Sequence, residues 1–352
     1  AWGGDPEQFK PVPGSVVIGS VVIARAGLAD DIWKWDPRLK IAGQLVGAAA
    51  LAVEDVGVRV AEGLLRPLMG SADTALIMLG DLAVMNGDVY YWVGAAIIAV
   101  FVLGGCNAAN LIDGLDGLLS GVTAITATGL LAIALVMAAF PPAAAEGEVT
   151  LAGARIVLCF ALLGAVLGFL PHNFNPATIF LGDCGSLLIG FVTVCIILMM
   201  GEYGQTHLVF AGLIVFSVPI MDTALAIIRR KLSGTSMSEA DDQHIHHQLK
   251  RVLGGVKRAV FALYGISLSF AIVGVSLAML VLMTGLRVRV VYAIAFVLFG
   301  FIGVIAFKAA RRHEYQLRLQ QAKVKPRRVM PTKPVASSPE RTRAEMLRLP
   351  AA

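Results

Sequence analysis

The chain has 352 residues, 57% of them hydrophobic and 15% charged, with a mean hydropathy of +0.77 and a formal net charge of +5. So much apolar character excludes an ordinary soluble domain and indicates a polytopic membrane protein. Charge is uneven: residues 308–352 hold twelve Lys/Arg and three Glu, so this tail carries +9 and the remainder −4.

In chain order, the first apolar run, 15–28, is short for a span of ~20 residues. It follows Pro11 and Pro13, and the chain opens on Ala1. The expectation is that an amino-terminal portion of the natural protein precedes it. Further apolar runs predict helices near 40–54, 90–106, 118–139, 153–171, 184–200, 207–224, 259–284 and 288–308, about nine transmembrane helices in all. The fold class expected is all-α, a polytopic membrane helical bundle. It divides into a membrane-embedded unit over residues 1–308 and a basic, disordered cytoplasmic tail over 309–352. Cys106, Cys159, Cys184 and Cys195 lack metal-type spacing and read as reduced thiols in or beside apolar runs.

Alternating the loops puts 30–40, 107–117, 172–183 and 225–258 on one face. Lys34, Arg38, Lys40, Arg229, Arg230, Lys231, Lys250, Arg251, Lys257 and Arg258 share that face, which the positive-inside rule makes cytoplasmic. Four polar clusters fall there.

The first is Asp30 and Asp31, followed by Lys34. Neighbouring carboxylates beside hydrocarbon repel, so a cation is expected, and oxygen ligands favour Mg²⁺ or Mn²⁺ over zinc. A solvated pair balanced by Lys34 is the alternative. In the second cluster, "NAANLIDGLDGL", Asn107, Asn110, Asp113 and Asp116 recur every three residues, enough amides and acids to hold a metal and read a base or sugar. A helix cap needs only one such residue. The third, "FLGDCGSLLIGF", places Gly182, Asp183, Gly185 and Ser186 at a helix start, suited to phosphate and to one more metal oxygen, though a plain helix start would look the same. The fourth, "DDQHIHHQLK", carries His244, His246 and His247 among cations. With no cysteine near, an anionic ligand is expected rather than zinc. Asp222, near the end of a span, is expected to brace this loop.

Five segments, DDxxK, NxxNxxDGxDGL, FxGDxGS, PIxDT and HxHH, run in this order over residues 20–310. Together they resemble the polyprenyl-phosphate N-acetylhexosamine-1-phosphate transferase family, of glycosyltransferase family 4 type. Ile245 between the histidines resembles the branch that loads N-acetylglucosamine-1-phosphate onto undecaprenyl phosphate. The branch that loads muramoyl-pentapeptide carries three consecutive histidines. Cys184 stands where the family often has Thr or Val, and the basic, Gly-rich segment usually found before the first acid pair is absent.

The resemblance implies an Mg²⁺-dependent transfer of a sugar-1-phosphate from a UDP-N-acetylhexosamine to undecaprenyl phosphate, with UMP leaving. It places Asp30, Asp31, Asp113 and Asp116 in the catalytic centre. Asp183, with Asp31, would hold the metal. Lys34, Lys40, Asn107, Asn110, His244, His246 and His247 would meet the substrates. Mn²⁺ is an alternative ion, membrane lipid a partner, a homodimer left open, and no nucleic acid is expected. The location implied is the bacterial inner membrane, with the active site facing the cytoplasm. The rival readings are phospho-N-acetylmuramoyl-pentapeptide transferase, a metal-dependent lipid-phosphate hydrolase, and a transporter, whose charged residues would sit at mid-membrane depth.

Overall fold

The structure, a computed structural model, describes residues 10–70, 75–79, 82–141, 150–233, 244–284 and 287–301, with residues 303, 304, 308 and 311. The expected tail, 309–352, lies outside the described residues apart from Arg311. The helices are α1 (Gly14–Trp33), α2 (Pro37–Val53), α3 (Arg59–Met69), α4 (Asn86–Ile112), α5 (Leu118–Ala139) and α6 (Ala152–Asn173), then α7 (Gly182–Met199), α8 (Thr206–Val215), α9 (Ser217–Ser233), α10 (Ile245–Leu253), α11 (Val256–Thr284) and α12 (Val288–Phe301).

All nine predicted apolar runs are helical over most of their length, but they are not nine equivalent spans. Among the described residues, five helices, α4, α5, α6, α7 and α11, are long and apolar enough to cross a membrane. A sixth exists only if α8 and α9, bent by 79° at their junction, count as one. The bend has a local cause: Pro219 has no N–H to give the Val215 carbonyl, so a continuous helix through this point loses a bond. Three runs fall short of that measure. α1 contains Arg25, Asp30 and Asp31, while α2 and α12 are short.

The stretch between the predicted helices 40–54 and 90–106 carries structure of its own. It contains α3 and an antiparallel hairpin, β1 (Ala75–Leu79) and β2 (Leu82–Met85), with Leu79 opposite Leu82. Apart from this hairpin the described residues are helical or irregular.

Local chemistry sets the helix ends that matter for the site. Lys34 adopts the left-handed conformation (φ 49°) and its N–H closes on the Asp30 carbonyl, ending α1. Pro37 then starts α2, with the Asp36 carboxylate accepting from the Arg38 N–H at 2.8 Å. A sharp reversal results, and α1 and α2 pack against each other.

α7 is the most buried span. It packs against α1 and α4, with Phe191, Ile196, Ile197 and Leu198 fully enclosed. The bundle exterior is apolar as well: Val17, Ile18, Val100, Val157, Phe160, Phe261, Ile272 and Phe296 all face outward. An apolar outside around helices that satisfy their own backbone bonds is what a lipid solvent requires.

Arg155 of α6 lies buried at the α7 end remote from Asp183. Its Nη1 donates to Glu202 Oε2 at 2.9 Å and to the Met199 carbonyl at 2.9 Å, and Glu202 Oε1 accepts from the Leu151 N–H at 2.9 Å. Removing one member of such a pair strands a buried charge. Arg155→Met is therefore expected to lower stability by about 3–5 kcal/mol. Thermal unfolding in detergent checks this, and a melting temperature equal to the parent's would contradict it. Arg155→Met/Glu202→Gln should recover part of the loss.

Candidate active site

Four helix ends converge: α1 finishes, α2 begins, α4 finishes and α7 begins at one end of the bundle. Lys40, in the first turn of α2, reaches across this junction. Its Nζ lies 2.9 Å from Asp30 Oδ2 and also contacts Asp183 Oδ2. Asn110 approaches Asp183 from α4, its Nδ2 donating to Asp183 Oδ1 at 2.6 Å and to Ser186 Oγ at 2.9 Å.

Asp30 and Asp31, adjacent on α1, turn to separate tasks because neighbouring helical residues do not share a face. Asp31 Oδ1 accepts from the Asp183 N–H at 2.9 Å and Oδ2 from the Cys184 N–H at 3.0 Å. A carboxylate from one helix thus caps another, satisfying two otherwise unpaired donors and complementing the α7 dipole. Gly182 makes this approach sterically feasible: its φ is +61°, and a Cβ there would lie 2.7 Å from Asp31 Oδ2.

The other predicted residues separate into three groups. Asn107 donates to Gln44 Oε1 at 2.8 Å, so it faces α2 and not Asp183. Asp113 follows the last turn of α4. Burial first, and then the negative charge of Asp183, push its carboxyl up from 3.8 to about 7. Asp116 Oδ2 accepts from Asn175 Nδ2 at 2.8 Å and from the Ala177 N–H at 3.2 Å, organising the loop that leads into α7.

His244 and His246 are buried against Asp222 of α9, while His247 is half-buried. A Cβ on Gly114 would lie 2.3 Å from His246 Nε2, so this ring packs directly on the turn carrying Asp113. Lys34 is exposed at the end of α1, and Lys40 rather than Lys34 balances Asp30.

Two contributors, Gln44 and Asn173, were absent from the sequence reading, and Ser186 was read there only as part of a helix start. Gln44 is fully buried within an apolar helix. Ser186 supports Asn110. Asn173 Oδ1 accepts from Ser120 Oγ at 2.7 Å and from the Gly117 N–H at 3.2 Å, while its Nδ2 donates to the Ile179 carbonyl at 3.1 Å. The available signal was a long polar side chain inside or ending an apolar run, where burial without a partner is costly.

The donor set suits a divalent cation. Asp30 and Asp183 already converge on a positive group, the Lys40 ammonium, and Asp113, raised mainly by burial and then by the charge of Asp183, lies beside them. All these donors are oxygens, which fits a hard ion.

The same elevation makes a stability prediction. A carboxyl whose pKa rises on folding takes up a proton, so its contribution is complete below the unfolded value and is lost as pH climbs from about 4 to about 7. At 1.36 kcal/mol per unit the loss is at most on the order of 4 kcal/mol. Asp113→Asn should remove this decline, giving the metal-free protein a higher melting temperature than the parent at pH 8. An unchanged pH dependence would contradict the assignment.

The family model described as "Glycosyl transferase family 4" matches residues 14–201. The chain is 33% identical over 274 residues to decaprenyl-phosphate N-acetylglucosaminephosphotransferase of Mycolicibacterium smegmatis, covering 72% of this chain and 60% of that one. It is 31% identical over 260 residues to the probable undecaprenyl-phosphate N-acetylglucosaminyl 1-phosphate transferase of Bacillus subtilis, covering 73% and 64%. Similarity to phospho-N-acetylmuramoyl-pentapeptide-transferase of Bacillus cytotoxicus is shorter, 33% over 159 residues, covering 45% and 44%. The chain thus spans 60% and 64% of the length of the first two relatives. With the family model covering more than half of the sequence, and the acids and amides of its motifs meeting where α1, α2, α4 and α7 converge, the chain belongs to glycosyl transferase family 4.

Proposed function

We propose that the protein transfers N-acetylglucosamine-1-phosphate from its UDP conjugate to undecaprenyl phosphate, leaving UMP and a lipid diphosphate sugar. The observation that carries this reading is the meeting of Asp30, Lys40, Asn110 and Asp183, with Asp113 beside them, at one end of an apolar-surfaced bundle. Such a place lets a membrane-held prenyl chain bring its phosphate to a soluble nucleotide sugar. A transporter reading would require the acids midway along the helices, whereas these residues sit at helix ends.

Asp183 and Asp30 would hold Mg²⁺, or Mn²⁺ in its place. Bound there, the ion supplies neutralisation of the diphosphate and of the departing UMP, where most catalysis of phosphoryl transfer resides. Lys40 would then turn from the acids toward a phosphate oxygen as a point charge. Asn110 keeps Asp183 oriented, and Asp31 keeps the α7 terminus in place, so Asp31 is a positioning residue. Asp116 positions the 174–181 loop in the same sense. His247, with Lys250 and Arg251 on α10, would meet the donor's diphosphate, while His244 and His246 hold α10 from beneath.

No general base is required of the protein. A phosphate monoester has its second pKa near ~6 and reaches neutral pH mostly as the dianion, so its oxygen attacks the β-phosphorus directly. The positive-inside distribution supports a cytoplasmic orientation for this end of the bundle, and the bacterial relatives support a bacterial inner membrane.

Membranes given Mg²⁺, undecaprenyl phosphate and a panel of radiolabelled UDP-sugars test the sugar assignment. Label from UDP-N-acetylglucosamine should enter lipid. Incorporation only from UDP-N-acetylmuramoyl-pentapeptide would overturn the assignment in favour of the pentapeptide branch.

A further inference from the structure

Asp222, His244 and His246 lie outside the aspartate centre and have no assigned ligand. They are 1%, 6% and 1% exposed. Each offers one donor atom, and the three donors lie within 4.8 Å of one another. Asp222 Oδ2 stands 3.0 Å from His244 Nδ1 and 3.4 Å from His246 Nδ1. The other oxygen, Oδ1, accepts from the Ile245 N–H at 2.7 Å, which fixes the carboxylate and leaves Oδ2 facing both rings.

A hydrogen bond from His244 explains only part of this arrangement. The His246 Nδ1 is buried and meets the same oxygen only at 3.4 Å, beyond the usual hydrogen-bond length. A ring nitrogen so loosely partnered at full burial is costly. The two rings are stacked and nearly parallel, with centroids 5.3 Å apart and planes 13° apart.

A four-coordinate zinc ion bound to nitrogen and oxygen at roughly 2.0–2.1 Å has donor-to-donor edges of roughly 3.3 Å. The contacts at 3.0 and 3.4 Å bracket that length. We propose that Asp222, His244 and His246 form a second metal site, specific for a borderline transition ion such as Zn²⁺ and distinct from the oxygen-only site at Asp30 and Asp183. Imidazole nitrogen is the feature that separates the two, since it suits zinc and is poorly matched to magnesium.

The site has a structural task. It ties the start of α10 to α9 across a segment of ten residues, 234–243, that separates them in sequence. It also seats the His246 ring on Gly114, beside Asp113. Zinc here would therefore set the depth at which α10 meets the aspartate centre, without touching substrate.

The test uses untagged full-length protein, purified in detergent, loaded with Zn²⁺ and then dialysed against buffer containing excess Mg²⁺. Elemental analysis should find about one zinc per chain. It should fall at least tenfold in Asp222→Asn and in His246→Gln, and be unchanged in Asp183→Asn. Replacement by Co²⁺ should give the intense visible absorption of four-coordinate cobalt. Loss of zinc from the parent during dialysis would overturn the proposal, as would equal retention by monodisperse Asp222→Asn and His246→Gln. Metal content is read independently of sugar transfer, so failure here would leave the transfer reading standing, and the converse holds.

Discussion

Asp183→Asn is expected to reduce transfer by about 10³-fold or more while leaving the fold intact. The side chain keeps its shape, and Asp31 continues to cap α7 through backbone N–H groups that the substitution does not alter. What disappears is the charge that faces Lys40 and accepts from Asn110. A melting temperature close to the parent's, together with lost turnover, would place the defect in the site itself. Near-normal transfer by this variant would refute the role given to Asp183.

The second large effect belongs to Lys40. Without its ammonium, Asp30 and Asp183 face each other with no cation between them. Lys40→Met should cost the metal-free protein roughly 1–2 kcal/mol, a figure reduced for the partial exposure of both acids. Adding Mg²⁺ should then raise its melting temperature more than it raises the parent's, because the ion no longer competes with a resident cation. Transfer should stay at least about 10²-fold down despite the restored stability, since a phosphate-binding charge is gone. Equal Mg²⁺ stabilisation in parent and variant would show that the ion binds elsewhere.

Much of this centre was legible in the sequence, for a reason that concerns connectivity. Apolar run lengths fix helix directions, and alternating directions bring Asp30, Asn110, Asp113 and Asp183 to one end without any knowledge of packing. The division of labour within each cluster was not legible. The sequence reading gave a metal role to Asp31, and only the approach of α7 to α1 shows Asp30 meeting an ammonium and Asp31 a helix terminus. Lys34 was the nearer cation in sequence, but the left-handed turn ending α1 leaves it exposed and delivers Lys40 instead.

The three-residue spacing of Asn107, Asn110, Asp113 and Asp116 would align all four only in a 3₁₀ turn, and the chain instead directs Asn107 to α2, Asn110 to α7 and Asp116 to the 174–181 loop. The spacing continues, but the helix ends at Ile112. The bracing of the HxHH loop by Asp222, expected from the sequence, appears in its contacts with His244 Nδ1 and the Ile245 N–H, although Asp222 lies 22 residues before His244 on another helix. Of the nine expected runs, five, or six with the bent pair, are long and apolar enough to span among the described residues, and run length alone did not separate them from the rest. Pro219 in the 207–224 run and the acids within α1 were the available warnings.

The central claim is that phosphorus moves together with the sugar. UDP-N-acetylglucosamine carrying ³²P in its β-phosphate and ³H in its sugar, incubated with the protein, Mg²⁺ and undecaprenyl phosphate, tests that claim most directly. Both labels should enter the lipid at the donor's own ratio, with UMP as the released nucleotide. Lipid labelled with ³H alone and release of UDP would show glycosyl transfer without phosphate and contradict the account.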